Sequence, residues 1–199
     1  MPKQEHRDTP VVLSSIYTRV GDDGTTALGD GSRAVKTDSR LAAYADVDEA
    51  NSAIGVAVTI GGLPDEIVTV LTRVQNELFD VGADFCNPVR PDPPYQPLRI
   101  DESYISALEQ DCDNFNAKLP TLRSFVLPGG TPGGALLHVA RTVVRRAERT
   151  AWAAMSEHGD TMNPVAAKYL NRLSDLLFIL ARTANEPVGD VLWKPGGER

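Results

Sequence analysis

Thiols and imidazoles are scarce: two cysteines and three histidines in 199 residues. Cys86 and Cys112 lie far apart and outside any ligand motif. That excludes a disulfide framework and makes a reduced, cytoplasmic compartment the expectation. His6, His138 and His158 are isolated, so a protein-built transition-metal site is not expected. No apolar run is long enough to span a bilayer, and no signal-peptide pattern opens the chain, so no membrane role is expected. A basic excess is missing too. Twenty Lys and Arg face 27 Asp and Glu, a net charge of -7, which argues against nucleic acid as a partner. The G-x-x-x-x-G-K-[ST] phosphate-loop spacing is also absent.

What is present is an ordinary globular composition, 42% hydrophobic and 24% charged, enough for one core without staples. Residues 1–13 read as a flexible tail and 14–199 as one domain. Five helical patterns follow a loop region rich in Gly, Asp and Thr. The first covers about 38–60, with Leu41, Ala45, Asp48, Ser52 and Val56 along one face. The second covers about 64–85, opened by Pro64 and carrying Ile67, Leu71, Val74, Leu78, Val81 and Phe85. Asp101 caps a third, about 101–119, with Ile105, Leu108, Cys112 and Phe115 inward. The fourth spans about 134–157. Asn163 and Pro164 open the fifth, about 164–185, with Val165, Leu173, Leu177 and Leu180. A proline-rich loop, NPVRPDPPYQP (87–97), and the break FVLPGGTPGG (125–134) separate them. The expected fold is all-α: a single-domain five-helix bundle preceded by a glycine-rich loop.

Chemistry concentrates in a few places. The fourth pattern holds four arginines in LHVARTVVRRAERTAW (137–152). At 100° per residue, Arg141, Arg145, Glu148 and Arg149 share about a quarter-turn arc, while Leu137, Val144, Ala147, Ala151 and Met155 mostly lie elsewhere. Guanidiniums on one arc suit a polyphosphate; a solvated face with Glu–Arg pairs is the plainer alternative. On the fifth helix Asn171, Asp175, Phe178 and Arg182 recur on one face, and the arginines of the neighbouring helix are candidate partners. Arg172 and Arg182 also read as surface ion pairs of small consequence. In ADVDEANSAIG (45–55), an Asp48 that faces the bundle needs a cationic partner. The loop YTRVGDDGTTALGDGSRAVK (17–36) permits a tight backbone whose N–H groups can meet an anion. A hairpin with a DG turn explains it equally. Asp22 and Asp23 must point away from a phosphate, bind Mg²⁺ through water, or pair with Arg19. Phe125, before a Pro-Gly-Gly turn, is by residue type a core aromatic.

The segments YTRVGDDGTTALGDG, ADVDEANSAIG, FVLPGG, LHVARTVVRRAER and YLNRLSDLLFILAR occur in this order from residue 17 to 182, followed by DVLWKPG. Together they resemble the PduO-type ATP:cob(I)alamin adenosyltransferases. The resemblance leaves out the tail and the 87–99 loop. It implies transfer of the 5′-deoxyadenosyl group of ATP to cob(I)alamin by a homotrimer of five-helix bundles. ATP would lie between the glycine-rich segment of one subunit and the arginine helix of the next, with Mg²⁺ on its phosphates.

By the same resemblance Thr18, Arg19, Val20, Gly21, Thr26 and Lys36 hold the triphosphate. Arg145, Arg146, Ala147, Glu148, Arg149 and Asn171 complete the nucleotide site. Asp48 pairs with Arg141 and fixes the subunit interface and the corrin-side geometry. Phe125 presses on the lower corrin face, and Asp48, Phe125, Arg141 and Arg145 form the catalytic set. A cobalamin-dependent mutase as acceptor and a flavoprotein reductase are the implied protein partners. Two departures from the family pattern, Ala50 within DEAN and Val144 where cysteine is frequent, touch local packing and not the polar set.

Overall fold

Each helix begins where the sequence supplies a residue to stop the preceding loop. The structure, a computed structural model, describes residues 16–93 and 95–196; the tail expected over 1–13 lies outside the described residues. Helix α1 (Ser39–Ile60) is capped by Asp38, whose carboxylate accepts from the Arg40 N–H. Helix α2 (Asp65–Cys86) starts after Pro64 with Asp65 and Glu66 in its first turn, favourable charges at a helix N-terminus. Asp101 caps α3 (Glu102–Asn116). Thr131 caps α4 (Pro132–His158), which begins two residues before its expected start with Pro132 in the first turn. A 3₁₀ turn (Gly159–Thr161) leads to Asn163, the cap of α5 (Pro164–Ala184).

The helices pack in the order α2, α1, α4, α5, α3, and α2 also touches α5. The core-facing residues of α2, α4 and α5 are those the 3.6-residue period selects, with Ile67, Leu71, Val74, Leu137, Val144, Leu173 and Leu177 fully buried. Helix α1 differs from expectation. Its buried stripe is Ala43, Val47, Ala50, Ile54 and Ala57, and the face carrying Ala45, Asp48, Ser52 and Val56 is exposed. The helix is rich in alanine on both sides, so apolar periodicity did not distinguish the two faces. The small side chains of the buried stripe bring α1 close against α4.

Polar bolts tie the ends together. Arg40 is buried and donates to the Phe85 carbonyl (3.0 Å) and to the Thr161 hydroxyl (2.6 Å). The buried Asp84 carboxylate accepts from Arg99 (2.6 Å), the Ile100 N–H (2.8 Å) and Asn163 (2.6 Å). The glycine-rich stretch is a hairpin, β1 (Thr25–Ala27) and β2 (Arg33–Val35), antiparallel with Thr26 opposite Ala34. At Gly24, φ is +80°, a backbone conformation that favours glycine.

Candidate active site

The arginines of α4 divide into two sets. Arg146 turns to α1, where it pairs with Glu49 and lies 3.8 Å from Asp46. Thr150 donates to the same Asp46 at 2.7 Å. Ala147 is fully buried in the core, so its side chain cannot face a nucleotide. Within the chain, then, the Arg146 side chain is engaged by α1 and the Ala147 side chain by the core. Arg145 and Arg149 are exposed and Glu148 half-buried. Neither arginine has a hydrogen bond or ion pair among the described residues.

Arg141 is half-buried, and its Nε is shut from solvent without a partner among the described residues. Burial, then the neighbouring Arg145, lowers its pKa below the ordinary guanidinium value. A guanidinium kept in this state is destabilised unless an anion arrives.

Asp48 does not meet Arg141 within the chain. It lines a groove of about 360 Å³ between α1 and α2 with Asn51, Ser52, Thr72, Gln75, Asn76 and Phe79. Arg141 instead neighbours His138, whose ring makes an edge contact with Phe178 of α5 (6.0 Å). His138 is 2% exposed, and neither ring nitrogen has a partner among the described residues. Burial, then Arg141, lowers its pKa. The fifth helix also departs from expectation. Asn171 is exposed, and Asp175 accepts from Arg172 on its own helix (2.6 Å) rather than from α4. Arg172 joins Glu109 and Asp175 in a surface network, as its residue type suggested. Arg182 is no surface pair. It is 5% exposed and donates to Asp190 (2.8 Å) and to the Pro120 carbonyl (2.8 Å).

Phe125 is 79% exposed, against the core expectation for its type. Backbone holds it in place. Its carbonyl accepts from the Trp193 N–H (2.7 Å), and Val126 bridges Leu192. The two rings meet edge to face at 6.2 Å. Behind it, Asn185 fixes the Pro-Gly-Gly turn, accepting from the Thr131 N–H and donating to the Gly129 carbonyl, both at 2.9 Å.

In the hairpin the Lys36 N–H bonds back to the Gly24 carbonyl (2.9 Å). Its ammonium lies over Gly21, 3.1 Å from where a side chain there would begin. Asp23 turns inward, accepting from the Thr25 hydroxyl (2.7 Å) and backbone; these bonds, with Arg33 at 3.5 Å, keep its pKa low. Its cation is thus Arg33 and not Arg19, which stacks over Tyr17 at 5.8 Å. Thr18, Arg19 and Val20 are exposed, and Thr26 is half-buried in β1.

The sequence profile of the cobalamin adenosyltransferase family matches residues 16–184. The chain belongs to that family. Within it, the chain resembles a corrinoid adenosyltransferase of Mycobacterium tuberculosis, 62% identical over 95% of this chain and 97% of that one. The corrinoid adenosyltransferase PduO of Citrobacter freundii is 40% identical over 84% of this chain and 49% of its own. A variant of the PduO-type ATP:corrinoid adenosyltransferase from Lactobacillus reuteri, solved with cobalamin and ATP, superposes with a TM-score of 0.83. It is 36% identical and covers 90% of this chain and 99% of that one. The chain is therefore an enzyme, a cobalamin adenosyltransferase of the PduO type. Among the described residues no helix is long and apolar enough to cross a membrane.

Proposed function

We propose that the chain transfers the 5′-deoxyadenosyl group of ATP to cob(I)alamin, giving adenosylcobalamin and triphosphate, with ATP at a subunit interface of a homotrimer. The observation that carries this is the division of α4. One arginine is neutralised by α1, while Arg141, Arg145 and Arg149 stand without anionic partners among the described residues, in a chain of net charge -7. In one subunit Asp48 and Arg141 belong to different faces of the bundle. A second subunit docked on the α1–α2 groove would join the exposed carboxylate to the orphaned guanidinium, and would bring the hairpin of one chain beside the arginines of the other.

The chemistry follows from charge. Cobalt(I) attacks C5′, a Co–C bond forms, the C5′–O bond breaks, and its electron pair leaves with triphosphate. Negative charge grows on that leaving group, so Lys36, Arg145 and Arg149, fixed beforehand, stabilise the transition state. No proton moves, and no side-chain base is required. Mg²⁺ would enter on the phosphates and supply further positive charge, since among the described residues no cluster of His, Cys, Asp or Glu stands ready to hold a metal. Glu148, half-buried three residues after Arg145, would orient it or accept from the ribose, and Asn171, exposed on α5, would meet the nucleotide. Phe125 offers its ring to the lower corrin face, keeping water and the nucleotide tail of cobalamin from cobalt. We assign the chain to the cytoplasm, with a flavoprotein reductase as electron source and a cobalamin-dependent mutase as acceptor.

Calorimetric titration of MgATP into the purified protein, with and without Arg145→Ala, tests the site. Binding that is lost or strongly weakened supports it. Equal affinity in both proteins contradicts it.

A further inference from the structure

The proline-rich loop between α2 and α3 has no place in the chemistry above, yet it grips the hairpin. We propose that this loop is a brace for the hairpin, with Tyr95 as its positioning residue. The proposal rests on the reading that the hairpin binds the triphosphate.

Gly29, at the hairpin tip, is held from three directions. Its N–H donates to the Cys86 carbonyl at the end of α2 (2.9 Å). Its carbonyl accepts from the Tyr95 hydroxyl (2.6 Å). Its open side is filled by the Asn87 amide, which would stand 2.4 Å from any β-carbon. The Tyr95 hydroxyl lies 2.8 Å from that same amide. Beside it Arg90 reaches Asp30 at 3.4 Å, while Asp30 itself accepts from the Ser32 N–H (3.0 Å).

The brace is anchored to the bundle. Arg99 donates to Asp84 and to the Asn87 carbonyl, both at 2.6 Å, and the Val89 N–H to the Thr161 carbonyl at 2.8 Å. Prolines at 88, 91, 93, 94 and 97 limit the conformations open to it. The hairpin needs such help, because two strands of three residues are marginal alone. Its tip is fixed by the loop, and its base carries Gly21 and Lys36. Releasing the tip frees the base to wander from the geometry that meets a phosphate. Tyr95 is 47% exposed, so its hydroxyl can go without disturbing the core.

Three readouts on the full chain test this: amide hydrogen exchange over residues 26–34 without ATP, steady-state kinetics, and thermal melting. Tyr95→Phe and Arg90→Ala should each speed exchange in the hairpin and raise KM for ATP about fivefold, the factor for one hydrogen bond of about 1 kcal/mol. With either variant, kcat, KM for cob(I)alamin and the melting temperature should stay near wild type. Unchanged exchange overturns the brace. So does a loosened hairpin with unchanged KM for ATP, or a loss explained by a lower melting temperature. Lys36→Ala separates the two readings: if it raises KM for ATP and Tyr95→Phe does not, the brace alone fails. If Lys36→Ala leaves both kcat and KM for ATP unchanged, the hairpin reading beneath it fails.

Discussion

Removing the Phe125 ring separates a working surface aromatic from a packed one. The side chain is 79% exposed, so Phe125→Ala withdraws only about one-fifth of its surface from burial. Full burial of such a side chain contributes about 1.5–3 kcal/mol, which makes the share here about 0.3–0.6. The edge contact with Trp193 adds about 0.5–1.5 kcal/mol. The expected loss is therefore about 1–2 kcal/mol, against about 3–5 for Phe→Ala in a core. Denaturant melts read the stability term directly. Activity should be measured twice, once with cob(I)alamin made by a strong chemical reductant, and once from cob(II)alamin with a weaker one. The second assay should fall far more, because there the protein must keep the lower cobalt face unliganded. A loss of 3 kcal/mol or more, with both assays failing in proportion, would refute the reasoning and make Phe125 a structural residue.

Arg145→Ala or Lys36→Ala should cost about 2.7–4 kcal/mol in the transition state. Arg146→Ala, whose charge is engaged by Glu49 and Asp46, should cost activity little; steady-state kinetics compare the three. Asp48→Arg and Arg141→Asp should each impair assembly on sizing columns, and the double swap should recover trimer if the two residues meet across subunits. Arg182→Ala should destabilise by about 3–5 kcal/mol in a denaturant melt, since it leaves the half-buried Asp190 without its cation. The depressed pKa of His138 means the unfolded chain takes up a proton more readily than the folded one. Its contribution is present above about pH 6.5 and lost as pH falls below that, with a slope of at most about 1.4 kcal/mol per unit. His138→Phe should flatten that part of the stability–pH curve.

Helix positions were legible because capping residues and period agreed: Asp101 and Asn163 stand where the loops end. The face of α1 was not, because alanines on both sides left no contrast for a period to report. The sequence of the hairpin admits both an anion loop and a DG turn, since three-residue strands are too short to show alternation. On α4 the arc of Arg141, Arg145 and Arg149 was visible from spacing alone. Spacing also puts Arg146 off that arc, but its pairing with α1 depends on Asp46 and Glu49, about a hundred residues earlier, and spacing carries no such information. Arg182 misled for the same reason: its anion, Asp190, lies beyond the end of the helix. The burial of Asp84 could have been found, since it falls between Val81 and Phe85 on the apolar stripe of α2.

The most direct measurement is to mix the purified protein with MgATP and chemically reduced cobalamin, follow the corrin absorption, and assay the phosphate product. The account predicts conversion of cob(I)alamin to adenosylcobalamin, with one triphosphate released for each corrin adenosylated and the rate greatly reduced in Arg145→Ala. An unchanged corrin spectrum with ATP left intact, or an equal rate in Arg145→Ala, would contradict it.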